Sequence, residues 1–260
     1  EFAAAVRADT FLASVMLVNN EVGTIQDVAT IAGKSREASK FLGGSLLVHT
    51  DAVQGAGKLS LDVNDLEVDL LSLSAHKIYG PKGVGALYVK RGVELEPLIA
   101  GGGQERQRRS GTENVASIVG FGEAITLAES ERVKSQERFK QLANKLIDGV
   151  ADRIPNSSFN GSETDRVPEI SNFSFLGVEG EPVLLGLDFR GIAASSGSAC
   201  SSASVEPSHV LLAMGIDTDE AVGSIRISFG RETTDSDVED LLDALKDVLD
   251  QLGTFPSAEN

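Results

Sequence analysis

The stretch that decides the fold is SLSAHKIYGPKGVGALYV, residues 72–89. The apolar run VDLLSLS leads up to Lys77 and predicts a buried strand, whereas YGPKG predicts a turn. A lysine at the end of a buried strand loses hydration. Desolvation disfavours the charged form, so Lys77 is a candidate nucleophile near neutral pH. The alternative, which these residues alone favour, is that Lys77 reaches solvent while Gly80 and Pro81 only close a hairpin.

Composition limits the classes of protein that this chain can belong to. Its 260 residues carry 39 acidic and 23 basic side chains, and the net charge of −16 argues against sequence-independent binding of nucleic acid. The single cysteine, Cys200, excludes an internal disulfide and suits a reducing compartment. No apolar run approaches membrane-spanning length, and the first residues do not resemble an export signal. We therefore expect a soluble, cytoplasmic protein that binds neither nucleic acid nor membranes.

Strand and helix patterns alternate along the first half of the chain. TFLASVMLV, LLVHTD, VDLLSLS and VGALYV predict strands, and DVATIAGKSREASKFLGG predicts a helix that ends at glycines. This alternation indicates an α/β layer with a mainly parallel sheet. A helical pattern from about residue 113 to 150 leads to a shorter-stranded α+β region. The sequence thus predicts a large domain at residues 1–131 and a smaller C-terminal domain at residues 132–260.

Polar residues collect where three successive predicted strands end. Ligands of open α/β sheets bind at these carboxyl ends. Asparagine and aspartate also cap helices and shape turns, so each cluster alone has a structural explanation. A carboxylate after one strand and a lysine after a later one is an arrangement that pyridoxal phosphate (PLP) needs. The clusters are Asn19–Glu21, then His49, Asp51 and Gln54, then Ser74, His76 and Lys77.

Five segments together resemble the cysteine desulfurases of the NifS/IscS group, in the family's order and through nearly the whole chain. The resemblance implies a homodimeric PLP enzyme of fold type I with a large PLP-binding domain and a small domain. Such enzymes remove sulfur from L-cysteine and leave alanine and an enzyme persulfide. The sulfur acceptor would be an iron–sulfur scaffold protein or a tRNA-thiolation protein. The segments are VMLVNNEVGTIQD, VHTDAVQGAGK, SAHKIYGPKGVGALYV, RSGTEN and SSGSACSSASVEPSHVL.

The resemblance also implies roles for individual residues. The cofactor would be held by a Schiff-base lysine, a carboxylate on the pyridine nitrogen, two contacts to the ring hydroxyl, two phosphate ligands and a threonine that reaches the phosphate in the neighbouring subunit. These are, in that order, Lys77, Asp51, Asn20 and Gln54, Ser74 and His76, and Thr112. Arg226 matches the arginine that holds the substrate carboxylate through its bidentate fork, and Asn172 is expected to assist it.

Cys200 is the candidate sulfur acceptor within the chain. A lone cysteine is most often a small buried hydrophobe, but SSGSACSSAS offers no apolar pocket and favours an exposed loop. Only the thiolate is nucleophilic, and His76 is the candidate base that ionises it. The length of the loop favours the NifS/IscS branch. No resident metal is expected, although Cys200 could ligate an iron–sulfur cluster transiently in a scaffold complex.

Alternatives from the same and from other classes stay open at this stage. A selenocysteine lyase or another fold-type I PLP enzyme would share most of these residues. The resemblance begins partway through the large domain. We therefore expect the family's N-terminal segment, with its glycine-threonine phosphate loop and stacking histidine, to be absent. That absence would suit an inactive binding or dimerisation module, which the retained Lys77, Asp51, Gln54, Cys200 and Arg226 oppose.

Overall fold

A computed structural model describes residues 1–196 and 207–253, so Cys200 lies outside the described residues. The chain divides into two compact units. The first unit comprises Glu1–Val18 and Gln26–Val133, and the second comprises Asn19–Ile25 and Lys134–Asn260. The chain thus passes from the first unit into the second at Asn19–Ile25 and returns to the first unit at Gln26.

The first unit is built on a mixed sheet that is mostly parallel. Within the described residues, four strands lie in the order β1-β2-β3-β4; β1/β2 and β2/β3 are parallel, and β3/β4 is antiparallel. Two 3-10 helices (Phe2–Ala5 and Ala75–Ile78) and a short turn, α2, complete the unit before a long helix begins. The α/β prediction is confirmed. The elements are β1 Leu12–Met16, α1 Val28–Phe41, β2 Leu47–Asp51, β3 Leu70–Ser74, β4 Gly85–Val89 and α2 Gln104–Gln107.

Helix α1 shows how local sequence sets these elements. Asp27 caps its N-terminus by accepting a hydrogen bond from the Thr30 backbone N–H at 3.1 Å. Its buried residues recur every three or four positions, which places small side chains on one face. Gly43 follows the helix at φ 76°, a left-handed conformation that favours glycine and ends the helix.

A single helix, α3 (Val115–Arg153), contributes residues to both units. The second unit also contains a sheet in the order β5-β6-β7, in which both described pairs are antiparallel. Every residue of β6 is buried, and β6 lies at the centre of this sheet. The remaining elements are β5 Ser157–Asn160, β6 Ile170–Phe175, α4 Gly180–Asp188, α5 His209–Ala213, α6 Thr218–Val222, β7 Ser224–Ser228 and α7 Asp235–Leu252.

The core of the second unit forms where α3, α4 and α7 cover this sheet. Phe173, Leu146, Ile225 and Leu242 are among its fully buried side chains. Helix α7 begins with a capping box, in which the Thr234 hydroxyl accepts from the N–H of residue 237 and that residue's carboxylate accepts in return. Among the described residues, no helix is long and apolar enough to cross a membrane.

Candidate active site

Asp51 is the last residue of β2, at the carboxyl edge of the first unit's sheet. The strand register places it opposite Met16 on β1 and Ser72 on β3. Its Oδ1 accepts a hydrogen bond from the Val53 backbone N–H at 2.9 Å. Its second carboxylate oxygen has no hydrogen-bond partner among the described residues, and the side chain is exposed. Asp51 can therefore accept a hydrogen bond from a protonated ring nitrogen at the sheet edge.

His49 lies two residues earlier on the same strand, between hydroxyls on the two neighbouring strands. Its Nδ1 is 2.8 Å from Ser14 Oγ and its Nε2 is 2.8 Å from Ser72 Oγ. Burial lowers the pKa of His49, and the nearby Asp51 carboxylate opposes that shift. A neutral imidazole is thus favoured there. The sequence groups His49 with the strand-end residues but does not predict this link across three strands.

Lys77 lies immediately past β3, in the 3-10 turn Ala75–Ile78. In this turn Lys77 is exposed, and its side chain has no partner among the described residues. The desolvation expected of Lys77 at a strand end is therefore wrong for this structure, and the alternative, in which the side chain reaches solvent, agrees with it, because the residue lies in an exposed turn past the strand. Gly80 follows closely, and a Cβ there would lie 2.9 Å from the Ala75 carbonyl oxygen. The fit requires glycine at that position.

Ser74 and His76 lie beside Lys77 and are hydrogen-bonded to each other. Ser74 Oγ is 2.8 Å from His76 Nδ1, and the His76 side chain is exposed. A hydroxyl and an imidazole at the end of β3 can both bind a phosphate, as their predicted role requires. Thr112 lies in the exposed segment that leads into α3, and its predicted contact involves a neighbouring subunit.

Gln54 is oriented by Lys58, a residue that the sequence motifs do not indicate. Lys58 Nζ donates to the Gln54 side-chain Oε1 at 3.3 Å and to the Gln54 carbonyl oxygen at 3.0 Å. Because the lysine occupies the amide oxygen, the amide N–H₂ group of Gln54 stays available as a donor, which suits a ring-hydroxyl contact. The spacing of four residues was the signal that could have identified this pair.

The other predicted site residues belong to the second unit. Arg226, on β7, donates from Nη1 to the Asn20 backbone carbonyl at 2.9 Å. Asn172 is its cross-strand neighbour on β6 and exposes none of its surface. The Asn172 amide donates to the Glu21 carbonyl at 3.3 Å and accepts from Asn160 at 2.8 Å. Asn172 can therefore support the arginine, whereas direct contact with a substrate would need a rearrangement.

The chemistry of the first unit's donor set fits a phosphorylated pyridine aldehyde. Asp51 offers an acceptor for a protonated ring nitrogen, Lys77 offers an amine, and Ser74 and His76 offer groups for an anion. All four lie at or just past the carboxyl ends of the adjacent parallel strands β2 and β3. Within residues 1–196 and 207–253, no group of three or more His, Cys, Asp and Glu side chains is placed to hold a metal ion.

Comparison with known proteins shows which family this chain belongs to. The family model "Aminotransferase class-V" matches residues 1–241. A cysteine desulfurase IscS from Clostridium botulinum (strain Hall) is 47% identical over 249 residues, which are 95% of this chain and 61% of the relative. The IscS of Dictyoglomus turgidum is 48% identical over 251 residues, 96% of this chain and 62% of that protein.

A solved structure titled "NIFS-LIKE PROTEIN" superposes with a TM-score of 0.87 at 38% identity, covering 96% of this chain and 64% of that one. The resemblance to the NifS/IscS group and the fold type are thereby confirmed. The chain spans about 61% of the length of the first of these relatives.

Proposed function

Since this chain belongs to the aminotransferase class-V family, we propose that the protein is a PLP-dependent cysteine desulfurase. The main support for the proposal is the position of two residues at neighbouring strand ends. Asp51 lies at the end of β2, and Lys77 lies just past the end of the adjacent parallel strand β3. The names of the relatives at 47–48% identity support the same activity. The substrate would be L-cysteine, and the sulfur would pass to an iron–sulfur scaffold or another acceptor protein.

The first unit would supply most of the groups that hold PLP. Asp51 would accept from the ring nitrogen, Lys77 would attach covalently through Nζ, and Gln54 would donate to the ring hydroxyl. Ser74 and His76 would bind the phosphate. When bound, PLP withdraws electrons from the α-carbon of an attached amino acid. From the second unit, Asn20 would add a further ring contact, and in a homodimer Thr112 would reach the partner's phosphate.

Arg226 would orient the substrate by binding its carboxylate. A guanidinium presents several donors in one plane, so Nη1 can keep its bond to the Asn20 carbonyl while other donors face a carboxylate. Lys77 Nζ, once released from the cofactor, would carry the proton that leaves the substrate α-carbon. These two side chains would determine which bond of the amino acid is broken.

Cys200 would take the sulfur. Its thiolate would bond to the substrate sulfur while the Cβ–S bond breaks, with the electron pair passing to the substrate carbon. Protonation of that carbon gives alanine, and the protein keeps a Cys200 persulfide. Only the thiolate reacts, and His76 is the candidate base in the proposed site. The single cysteine suits a reducing cytoplasm, where we place the protein.

The test is product analysis on the PLP-loaded protein with L-cysteine. We expect alanine in solution and a gain of one sulfur atom on the peptide that contains Cys200, detected by mass spectrometry. The variant Cys200→Ser is the matched control, and it should retain PLP but form neither product. Alanine release by Cys200→Ser at the wild-type rate would contradict the proposal, as would a wild-type protein that forms no persulfide.

A further inference from the structure

Glu21 is a buried carboxylate in the second unit that the proposed chemistry does not use. It lies in the NNEVG motif, and only 4% of its surface is exposed. Its Oε2 accepts a hydrogen bond from Ser208 Oγ at 2.5 Å, and Ser208 is equally buried. Hydrogen bonds from a hydroxyl to a carboxylate are short and about twice as strong as neutral ones. A buried contact of this kind fixes both of its partners.

Ser208 has a second task, because it caps helix α5. Its Oγ accepts from the backbone N–H groups of Val210 at 3.1 Å and Leu211 at 3.3 Å. The hydroxyl therefore donates its one proton to Glu21 and directs its lone pairs to the helix. Glu21 thereby determines the orientation of the hydroxyl that starts α5. Ser208 follows Cys200 by eight residues.

The N-terminal side of the same segment is also fixed. Ser195 precedes Cys200 by five residues. Its N–H donates to the Arg226 carbonyl at 3.2 Å, and the Arg226 N–H donates to the Ser195 carbonyl at 2.6 Å. The Arg226 side chain in turn donates a hydrogen bond to the backbone carbonyl of Asn20. Both flanks of the Cys200 segment thus connect to consecutive residues, Asn20 and Glu21.

We propose that Glu21 is a positioning residue for sulfur transfer. It acts through Ser208, by holding this residue, eight positions after Cys200 in the chain, at a constant place relative to Arg226. The proposal rests on the proposed function, because it assigns to Cys200 the attack on a substrate that Arg226 holds. Misplacing a reacting group by about 1 Å can cost up to about a hundredfold in rate. We therefore expect roughly a tenfold effect on the sulfur-transfer step.

The test compares Glu21→Ala with Glu21→Gln in the PLP-loaded protein. Alanine removes the acceptor, whereas glutamine keeps an oxygen for the Ser208 hydroxyl. We expect Glu21→Ala to lower kcat for alanine formation about tenfold with KM changed less than twofold, and Glu21→Gln to lie near wild type. Ser208→Ala should lower kcat at least as far as Glu21→Ala, because it also removes the cap of α5. The double variant should be no worse than Ser208→Ala alone, because Glu21 acts through the Ser208 hydroxyl. Glu21→Asp is the substitute if Glu21→Ala does not fold.

A second readout does not depend on desulfurase activity. Cys200 is the only thiol, so its alkylation rate by iodoacetamide reports directly on the segment. We expect Glu21→Ala to change this rate at least threefold and Glu21→Gln to leave it unchanged. The matched control is Glu169→Ala, which removes another buried glutamate, one that contacts Gln136, and should not alter it.

Three results would overturn the positioning role of Glu21. One is equal alkylation rates in Glu21→Ala and wild type. Another is equal behaviour of the alanine and glutamine variants, and the third is a raised KM at unchanged kcat. A wild-type protein that forms no alanine would instead refute the proposed function, and the alkylation comparison would still decide whether Glu21 fixes the segment.

Discussion

Replacing Asn172 by alanine tests whether this residue supports Arg226 or contacts the substrate directly. The change removes an acceptor 2.8 Å from Asn160 Nδ2 and a donor 3.3 Å from the Glu21 carbonyl. Asn160 keeps a second acceptor, Ser174 Oγ at 2.8 Å, whereas the Glu21 carbonyl loses this donor. A buried hydrogen bond contributes about 1 kcal/mol net, and an unsatisfied buried group costs about 1–3 kcal/mol. The expected loss of unfolding free energy is therefore about 2–3 kcal/mol.

The assay is a thermal melt of the PLP-loaded protein together with KM for L-cysteine. At roughly 3 °C per kcal/mol for a domain of this size, we expect Tm to fall by about 6–9 °C. KM should change less than about threefold, because Asn172 exposes no surface to a ligand. The control Ser174→Ala removes only the other acceptor of Asn160 and should lower Tm by about 3 °C. A Tm within 1 °C of wild type combined with a tenfold rise in KM would refute this reasoning.

Two further predictions concern charged side chains. Arg226→Lys should raise KM for L-cysteine by about tenfold or more, because an ammonium cannot bond the Asn20 carbonyl and also present a planar fork to a carboxylate; an unchanged KM would contradict the assignment. Asp69 is buried, which by itself raises its pKa, but hydrogen bonds from the Val48 N–H, Arg36 and Lys90 outweigh burial and hold the pKa below the ordinary 3.8. The ionised Asp69 should therefore stabilise the folded state fully well above pH 3.8, and this stabilisation should disappear as the pH falls below that value. Asp69→Asn should melt at a lower temperature than wild type at pH 7, and its Tm should fall less on acidification. Parallel plots of Tm against pH for the two proteins would contradict this.

Local patterns were sufficient for most elements of the fold. The apolar runs predicted β1, β2 and β3, and the periodic pattern after residue 113 predicted α3. The strand β5 was missed because SSFN is short and polar and becomes a strand only by pairing with β6. The antiparallel direction of β4 and the 3-10 turn at Lys77 also depend on tertiary contacts, which a sequence pattern does not contain.

The same distinction applies to the candidate site. Motifs predicted roles for Asp51, Lys77 and Arg226, because the chemistry of these residues and their position in the motif are local. They did not reveal that NNEVG belongs to the second unit. That placement depends on contacts over more than 130 residues, including Ile25 to the carbonyl of Asp165 and Glu21 to Ser208. Residues brought together over such separations have no signature in the sequence between them.

The central claim is that Lys77 binds PLP covalently, and borohydride reduction followed by peptide mapping tests it most directly. Reduction makes the link between cofactor and lysine permanent, so the modified residue can be identified by mass spectrometry. Lys82 lies in the same connection between β3 and β4, is also exposed, and is the internal competitor. We expect the pyridoxyl label on Lys77 alone, with no label in Lys77→Ala and a wild-type amount in Lys82→Ala. A label on Lys82, or undiminished labelling in Lys77→Ala, would contradict the account.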